Sequence, residues 1–542
     1  MGKEILVDAT TRAQEPFKAK PQRRGLSILS IMALLAIVAL SLYVVFRGIA
    51  FLDPGYTWLD RLFAVFLLGA ELFIFTHAIA YLLTTIKATG RYTITKERVF
   101  APAVEPATAV IIAAFNEEPS LLEETVISAI NLDYAQKKVC IVDDSTNEDL
   151  RRGIQDLAQR YGCVYVHRRN RRGYKAGAIN DLMKTLSQKY MAVFDADQKP
   201  VHNFLNQTIP FLEEDPKLAF IQTPQFYNNT ENSPVAFGAA HQQAVFYEYI
   251  CEGKSVSDAM FSCGSNIVYR TDALRSIGGF NEKSVTEDFA TAFRLHLKRW
   301  KSLYYNYVYV YGLGPESLSG YFTQQMRWAL GTLGVFKSVI LEFFRRPRSL
   351  HSGQWWEYFV SGSYYLVGWA NLFFIICPVS FLLFNIRPLI ADPIFYAAAF
   401  LPYFIFSMGT FYLSMGSRGY KARALLIGQS LGFISIWVLL NAAVMALFNV
   451  KRPFGVTPKG AGEKLSVRYI MPQLTLMILS LAAVGVGIYR LSNVLDTVVI
   501  INMVLATYHA CLLGMVFYFN RSFKPYQPRP IFIETEGQNM FG

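Results

Sequence analysis

Residues 190–200 read YMAVFDADQKP, a short apolar run that ends in Asp195 and Asp197. Three similar runs, TAVIIAAF (108–115), KVCIVDD (138–144) and CVYVHRR (163–169), each precede an amphipathic stretch, and LAFIQT (218–223) follows the series. Strands that alternate with helices predict a parallel, doubly wound α/β sheet. Because ligands of such sheets bind at the carboxyl ends of the strands, we expect the site where these runs end.

Long apolar runs flank this region, and hydrophobic residues make up 53% of the chain. The runs cover residues 27–52, 58–86, 356–386, 394–415, 469–490 and 495–518. Each has at least the roughly 20 residues needed to cross a membrane. The first run is too long for the apolar part of a signal peptide, and no small-residue cleavage site follows it. We therefore predict an α/β domain inserted in an all-α transmembrane domain of about six spans plus interfacial helices.

The net charge of +12 comes largely from basic residues beside the apolar runs. KAKPQRR (18–24) precedes the first run, KARA (421–424) follows the fourth and RSFK (521–524) follows the sixth. This is the positive-inside pattern of membrane proteins, so we expect the lipid bilayer and no nucleic acid as a partner. The six cysteines are dispersed without a CxxC pair, which argues against a zinc ribbon or a disulfide framework.

These charges predict a topology for the plasma (inner) membrane with the α/β domain in the cytosol. The predicted order is a basic tail (1–24), two spans (25–94), the α/β domain (95–320), interfacial helices (321–355), a hairpin (356–415), an interfacial helix and loop (416–468), a second hairpin (469–518) and a tail (519–542). The loop NVKRPFGVTPKGAGEKLSVRY (449–469) carries five Lys and Arg residues, which favours the cytosolic side. In that case 424–448 is a re-entrant or interfacial segment, although it is apolar enough to span.

Acidic pairs follow two of the predicted strands. Asp195 and Asp197 are suited to hold Mg²⁺ or Mn²⁺, which favour oxygen ligands and bridge to phosphates. Asp143 and Asp144 are suited to accept hydrogen bonds from a nucleobase or ribose. Lys175 stands at a helix start between two glycines, where a cation and free backbone N–H groups would face a diphosphate. Taken singly, turn capping by the acids and a solvated lysine explain these residues as well.

Two later segments add candidate residues. In SVTEDF (284–289), Thr286 is a plausible N-cap, and Asp288 in the first helical turn is a candidate general base held ionised by the helix terminus. A well-capped helix start is the alternative. YFTQQMRWALGT (321–332) places Gln324, Arg327 and Trp328 close together on one helix, with Arg suited to a diphosphate and Trp to a sugar ring. The alternative is a juxtamembrane helix with an interfacial Trp and a snorkelling Arg.

Together these segments resemble family-2 glycosyltransferases of the cellulose synthase catalytic subunit type. The matching motifs are FNEEP (115–119), DDS (143–145), GYKAGAIN (173–180), DAD (195–197), QTPQ (222–225), FSCGS (261–265), TED (286–288), QQMRW (324–328) and FGVTPKG (454–460). They keep this order over roughly residues 107–520. The resemblance implies a GT-A-like domain on a transmembrane channel, with UDP-glucose as the expected donor and a β-glucan as the product that is polymerised and translocated.

The resemblance also implies residue roles. It assigns donor binding to Glu117, Asp143, Asp144, Lys175, Asp195 and Arg327, the metal to Asp197, and catalysis to Asp288 with Glu287. It assigns the acceptor and the channel mouth to Gln324, Gln325, Trp328, Cys263 and Gln198, and a gating loop over the nucleotide to Phe454, Val456, Thr457 and Lys459. Tyr364, Tyr365 and Trp369 are candidate channel liners, with ordinary packing as the alternative.

The chain departs from the pattern in ways that leave the product open. Gln198 stands where cellulose synthases typically have His, so cellulose, β-1,3-glucan and mixed-linkage glucan are all possible products. Two spans precede the α/β domain where bacterial cellulose synthases usually have four, and the short tail after the last span predicts no fused PilZ-like domain. The alternatives are a non-processive glycosyltransferase acting on a lipid-linked or short acceptor, a synthase using another UDP- or GDP-sugar, and a transporter or inactive scaffold.

Overall fold

The computed structural model describes residues 27–91, 105–450 and 464–523. The main strands are β1 Thr108–Ala114, β2 Lys137–Asp143, β3 Val164–His167, β4 Tyr190–Asp195, β6 Leu218–Gln222, β8 Ile267–Arg270 and β9 Lys301–Tyr304. In the described part of the chain they form one sheet of order β3-β2-β1-β4-β8-β6-β9. The short strands β5 Lys199–Pro200, β7 Phe226–Tyr227 and β10 Val310–Gly312 form a second sheet of order β5-β10-β7.

Helices cover both faces of the main sheet, as the doubly wound pattern predicts. They are α3 Pro119–Ile130, α4 Glu148–Arg160, α5 Tyr174–Met183, α6 Phe204–Glu214, α9 Thr271–Ser276 and α10 Glu287–Leu297. Alternate residues of β1 show the two faces: Val110 and Ile112 pack with α3, α4 and α6, whereas Ile111 packs with α5, α9 and α10. Each face of the sheet therefore has its own hydrophobic core. Burial of each such side chain stabilises the fold by roughly 1.5–3 kcal/mol.

The expectation of a wholly parallel sheet is wrong at one strand. β8 runs antiparallel to both of its neighbours, β4 and β6. The chain therefore enters β8 at the edge where β4 and β6 end, through Gly264 and Asn266, which both have positive φ values. This reversal brings residues 261–266 to the carboxyl edge of the sheet, beside Asp195 and Asp197.

Six helical segments in the described part of the chain are long and apolar enough to cross a membrane. Five are single helices: α1 Ile28–Phe51, α2 Trp58–Arg91, α14 Pro393–Ser417, α17 Val467–Asn493 and α18 Thr497–Phe519. The sixth, Ser352–Phe384, combines α12 Ser352–Ser363, a 3-10 turn Tyr364–Leu366 and α13 Val367–Phe384. They match the six apolar runs of the sequence, and the chain is a multi-pass membrane protein.

The segment 422–447 is not a straight helix. It comprises α15 Ala422–Ile434 and α16 Ile436–Leu447, which are bent by 45° at Ser435. A broken span and a re-entrant segment both have this shape, so the predicted sidedness stays a prediction. The proposed gating residues Phe454, Val456, Thr457 and Lys459 lie outside the described residues.

Three further helical segments join the α/β domain to the transmembrane helices. They are α7 Pro234–Val245, which continues through a π-helical turn Phe246–Ile250 into α8 Cys251–Val256, and the long helix α11 Leu318–Arg345. α7 packs on α15, and α11 packs on α16 and α12. The end of the sheet that carries the acidic residues therefore faces the helical bundle through α11.

Candidate active site

A cavity of about 470 Å³ lies at the carboxyl ends of β1 and β4, between the start of α10 and the first half of α11. Most residues that the sequence pointed to line it. They are Glu117, Asp144, Lys175, Asp195, Asp197, Gln198, Cys263, Glu287, Asp288, Gln324, Arg327 and Trp328. The carboxyl-edge rule for α/β sheets thus brings together residues from seven separate motifs.

Two predicted site residues do not line the cavity. Asp143 is buried, and its carboxylate accepts hydrogen bonds from the Ser145 N–H at 2.8 Å and the Tyr165 O–H at 2.7 Å. Its side chain therefore stabilises the end of β2. Gln325 is buried on another face of α11 from its neighbour Gln324, because successive residues of a helix point in different directions.

Lys175 holds the acidic end of the cavity together. Its ammonium group donates hydrogen bonds to an Asp195 carboxylate oxygen and, at 2.7 Å, to the carbonyl oxygen of Gly264. Burial disfavours the charged ammonium, but the carboxylates of Asp195 and Glu287 outweigh burial and raise the pKa of Lys175. Lys175 is therefore a fixed cation beside the carboxylate that ends β4 and the carboxylate that begins α10.

Asp195 and Asp197 fit a divalent cation that is shared with a ligand. The Asp195 side chain is 44% exposed, whereas Asp197 is buried at the cavity wall. In the described part of the chain no three His, Cys, Asp or Glu side chains are grouped closely enough to form a metal cage. A pair of carboxylates is nevertheless what Mg²⁺ uses when substrate phosphates and water complete its ligands.

Asp288 sits in the first turn of α10 and faces the Gly264 backbone. A Cβ atom at Gly264 would lie 3.1 Å from an Asp288 carboxylate oxygen, so a side chain there would crowd the acid. Burial, reinforced by the Glu287 carboxyl group, raises the pKa of Asp288 to about 7. The Phe289 N–H donates to Asp288 at 2.7 Å and opposes this shift.

Two sequence predictions about this helix start are therefore corrected. The helix terminus does not hold Asp288 fully ionised near pH 7, because burial and the neighbouring acid outweigh its backbone N–H group. Thr286 occupies the N-cap position, but its side chain makes no capping hydrogen bond. It contacts the Ser284 hydroxyl instead, and Gly331 of α11 packs closely against it.

The loop before β8 is fixed by buried amides. The Gln222 side-chain amide donates to carbonyl oxygens of the loop, and its oxygen accepts the Cys263 N–H at 2.8 Å. The buried Gln198 accepts a hydrogen bond from the Asn266 side chain at 3.0 Å. Gln198 is therefore held at the wall between the acidic pair and α11, rather than free to rotate.

Two arginines of RRNRR (168–172) belong to the site although the sequence motifs did not predict them. Arg168 binds Asp144 through both carboxylate oxygens, at 2.9 and 2.6 Å. Arg171 lines the cavity and lies over the Phe115 ring at 3.7 Å. The run of four arginines was the available signal, but nothing in its spacing distinguishes the two inward-facing side chains from solvated ones.

Comparison with known proteins supports a relationship over most of the chain. The sequence profile described as glycosyl transferase family group 2 matches residues 190–415. A cellulose synthase catalytic subunit (UDP-forming) of Pseudomonas fluorescens is 29% identical over 483 residues, which are 85% of this chain and 62% of the relative. Cellulose synthase 1 of Komagataeibacter xylinus is 27% identical over 493 residues, 87% of this chain and 30% of the relative. The chain thus spans less than two thirds of either relative.

The fold has a counterpart among solved structures. A mannosyltransferase from Pyrobaculum calidifontis, solved in complex with GDP-Man and Mn²⁺, superposes with a TM-score of 0.51 at 19% identity. The match covers 72% of this chain and all of that one. At this identity the likeness bears on the fold alone, and it confirms the GT-A-like α/β domain.

Proposed function

We propose that this chain, which is similar to family-2 glycosyltransferases and to cellulose synthase catalytic subunits, is a processive, inverting membrane glycosyltransferase. Its donor would be a nucleotide sugar, UDP-glucose by analogy with the UDP-forming relative. Its product would be a β-glucan, which the helical bundle would pass across the membrane. The observation that carries the proposal is the carboxyl group of Asp288, which is half-buried and shares one cavity with Lys175 and the Asp195–Asp197 pair.

Donor binding is assigned to the strand-end side of the cavity. The Lys175 ammonium and the Arg327 guanidinium offer positive charge to the two phosphates, and the start of α5 offers backbone N–H groups. Asp195 and Asp197 would hold a divalent cation between the protein and the diphosphate. When bound there, such an ion would offset the negative charge that develops on the departing diphosphate.

Asp288 is assigned the role of general base. Its carboxylate takes the proton of the acceptor hydroxyl group, whose oxygen attacks the anomeric carbon while the bond from that carbon to the diphosphate oxygen breaks. Attack from the face opposite the leaving group inverts the anomeric configuration. A pKa of about 7 suits this role, because a base is most effective when its pKa lies near the working pH.

Processive synthesis is assigned to α11 and the bundle behind it. Gln324 and Trp328 line the same cavity as Asp288, and the Trp328 ring offers a flat surface for the terminal sugar. Tyr364 and Trp369, with 47% and 39% of their surface accessible, are the proposed liners of the channel. Tyr365, the third proposed liner, packs against α11 and α16.

One assay tests the proposal and its alternatives. Purified protein is incubated with UDP-[³H]glucose and Mg²⁺, and the product is sized and digested with linkage-specific glucanases. Insoluble polymer with release of UDP supports the proposal. Short soluble product indicates a non-processive enzyme, and absence of UDP release indicates a transporter or scaffold. GDP-mannose and UDP-N-acetylglucosamine serve as matched alternative donors. The digestion pattern also decides which linkage Gln198 accommodates.

A further inference from the structure

Arg171 occupies an unusual position in the cavity wall. Its guanidinium group lies 3.7 Å from the centre of the Phe115 ring and 5.6 Å from the centre of the Tyr174 ring. Its Nε atom is buried, and no described residue accepts a hydrogen bond from it. A buried donor without an acceptor costs about 1–3 kcal/mol, which stacking on an aromatic ring offsets only in part.

The neighbouring arginines have different surroundings. Arg168 is held by both carboxylate oxygens of Asp144, and Arg172 points outward to pair with Glu282 at 2.9 Å. Arg171 alone of these three combines a place in the cavity wall with a donor that lacks an acceptor in the described part of the chain. Packing of the loop therefore accounts for Arg168 and Arg172, and it leaves the position of Arg171 unexplained.

Arg171 lies away from the part of the cavity that is proposed to bind the diphosphate. Phe115 follows β1, and its loop is tied to the end of β2 because the Asn116 side chain accepts the Thr146 and Asn147 N–H groups. Asp195, which Lys175 holds, instead follows β4 on the other side of β1. If the phosphates lie beside Lys175, the nucleoside lies toward Phe115 and Arg171.

The geometry points to Arg171 as a residue that recognises the nucleobase, an inference that rests on the proposed function. Arginine carries only donors, so it recognises a base through carbonyl oxygens. Uracil presents two such oxygens, whereas cytosine presents an amino group in place of one of them. Asp144, the carboxylate of the same cavity wall, is already held by Arg168 through both of its oxygens. Arg171 would therefore favour uracil over cytosine nucleotides.

The test compares base recognition with phosphate recognition. Binding of UDP, CDP and inorganic pyrophosphate, each with Mg²⁺, is measured by calorimetry on the purified full chain. We expect the unmodified protein to bind UDP more tightly than CDP. Arg171→Ala should weaken UDP binding about tenfold or more, which corresponds to about 1.4 kcal/mol, and leave CDP and pyrophosphate nearly unchanged. Arg172→Ala is the matched control and should alter none of the three affinities.

Each other outcome has a definite meaning. Equal losses for UDP, CDP and pyrophosphate would show that Arg171 contacts the phosphates and would overturn the inference, as would an unchanged ratio of UDP to CDP affinity. If Arg171→Ala does not fold, Arg171→Lys keeps a cation over Phe115 without the planar set of donors, and the same ratio decides. An unmodified chain that binds no nucleoside diphosphate would instead contradict the proposed function itself.

Discussion

At the scale of single residues, the site combines a carboxyl group kept partly neutral with a cation kept charged. Asp288 and Lys175 line one cavity, where loss of solvation disfavours the charged form of each group. Asp288 has the Glu287 carboxyl group as its neighbour, which adds to the effect of burial. Lys175 has Asp195, which opposes it. These shifts suit the proposed roles, in which Asp288 acts as a base near neutral pH and Lys175 binds a phosphate as a cation.

Replacing the general base tests the assignment of Asp288. Asp288→Asn should lower polymer synthesis by about 10²–10⁴-fold, because the amide cannot accept the acceptor's proton. UDP binding, measured by calorimetry, should persist. The exposed Asp272 of α9 supplies a control, and Asp272→Asn should keep full activity. A near-normal rate in Asp288→Asn would remove Asp288 from the catalytic step.

The pH dependence follows from the direction of the shift. The folded pKa of Asp288, about 7, lies above its ordinary value of 3.8. The base form is therefore lost as the pH falls below about 7, and kcat/KM should fall tenfold per pH unit there. The same shift means that the protonated form favours the fold. Its stabilising contribution is complete below pH 3.8 and is lost as the pH rises through 7.

Glu287→Gln tests whether the Glu287 carboxyl group contributes to the raised pKa of Asp288. The negative charge of Glu287 raises the pKa of Asp288. Without this charge, the acid limb of the rate profile should move to lower pH. The measurement is the rate of UDP release between pH 5 and 9 with saturating Mg²⁺. An acid limb that stays in place would assign the shift to another group.

A site residue could be predicted from the sequence where a local pattern marks it. Contacts between residues that are far apart in the sequence could not be predicted. Asp195, Asp197 and Lys175 were predictable, because the end of a strand and the start of a helix have clear local patterns and share one edge of the sheet. The hydrogen bond from Asn266 to Gln198 was not, because it depends on the reversed direction of β8. Arg171 was missed for the same reason, since its partner Phe115 lies on another strand's loop.

At the scale of elements, the alternation of strands and helices was sufficient to predict the layers of the α/β domain. It was not sufficient to predict the direction of every strand. A four-residue strand such as β8 carries no signal for its direction, which is set by the turn that precedes it. The apolar pattern likewise predicted all six spans. It did not predict the bend at Ser435, because α15 and α16 together form one continuous apolar stretch that is long enough to span.

The contact between α14 and α8 offers a test at this scale. Arg418, just after α14, pairs with the carboxylates of Glu252 at 2.9 Å and Glu248 at 3.2 Å. Burial raises the pKa of Glu252 to about 7, and Arg418 opposes this effect. Arg418→Ala should destabilise the protein by about 3 kcal/mol, because it leaves buried carboxyl groups without their cation.

The measurement is the thermal unfolding midpoint in detergent, with the exposed Arg423→Ala as a control of equal charge. The loss should be smaller at pH 5.5 than at pH 8, since protonated Glu252 needs no cation. A loss of equal size at both pH values would indicate that Arg418 acts through its stacking on Tyr249 instead.

At the scale of the whole molecule, contacts link the start of α17, the end of α18 and the end of α15 to the α/β domain. Leu465, at the start of α17, exchanges hydrogen bonds with Asn520, at the end of α18. Both flank a cluster in which Phe519 and Ile434 pack with Tyr227, a residue of the cavity wall. The bend between α15 and α16 therefore lies beside the α/β domain. This arrangement favours a segment that returns to the side it came from.

Labelling of cysteines tests which side this is. In a Cys511→Ser background, Ala461→Cys probes the basic loop and Ser492→Cys probes the exposed far end of α17. If 424–448 is re-entrant and the basic loop is cytosolic, a membrane-impermeant maleimide should label position 492 in intact cells and position 461 only after permeabilisation. Labelling of 461 in intact cells would instead make α15 and α16 a broken seventh span. The five basic residues of the loop would then lie opposite the α/β domain, out of reach of the diphosphate that Lys175 and Arg327 are proposed to bind.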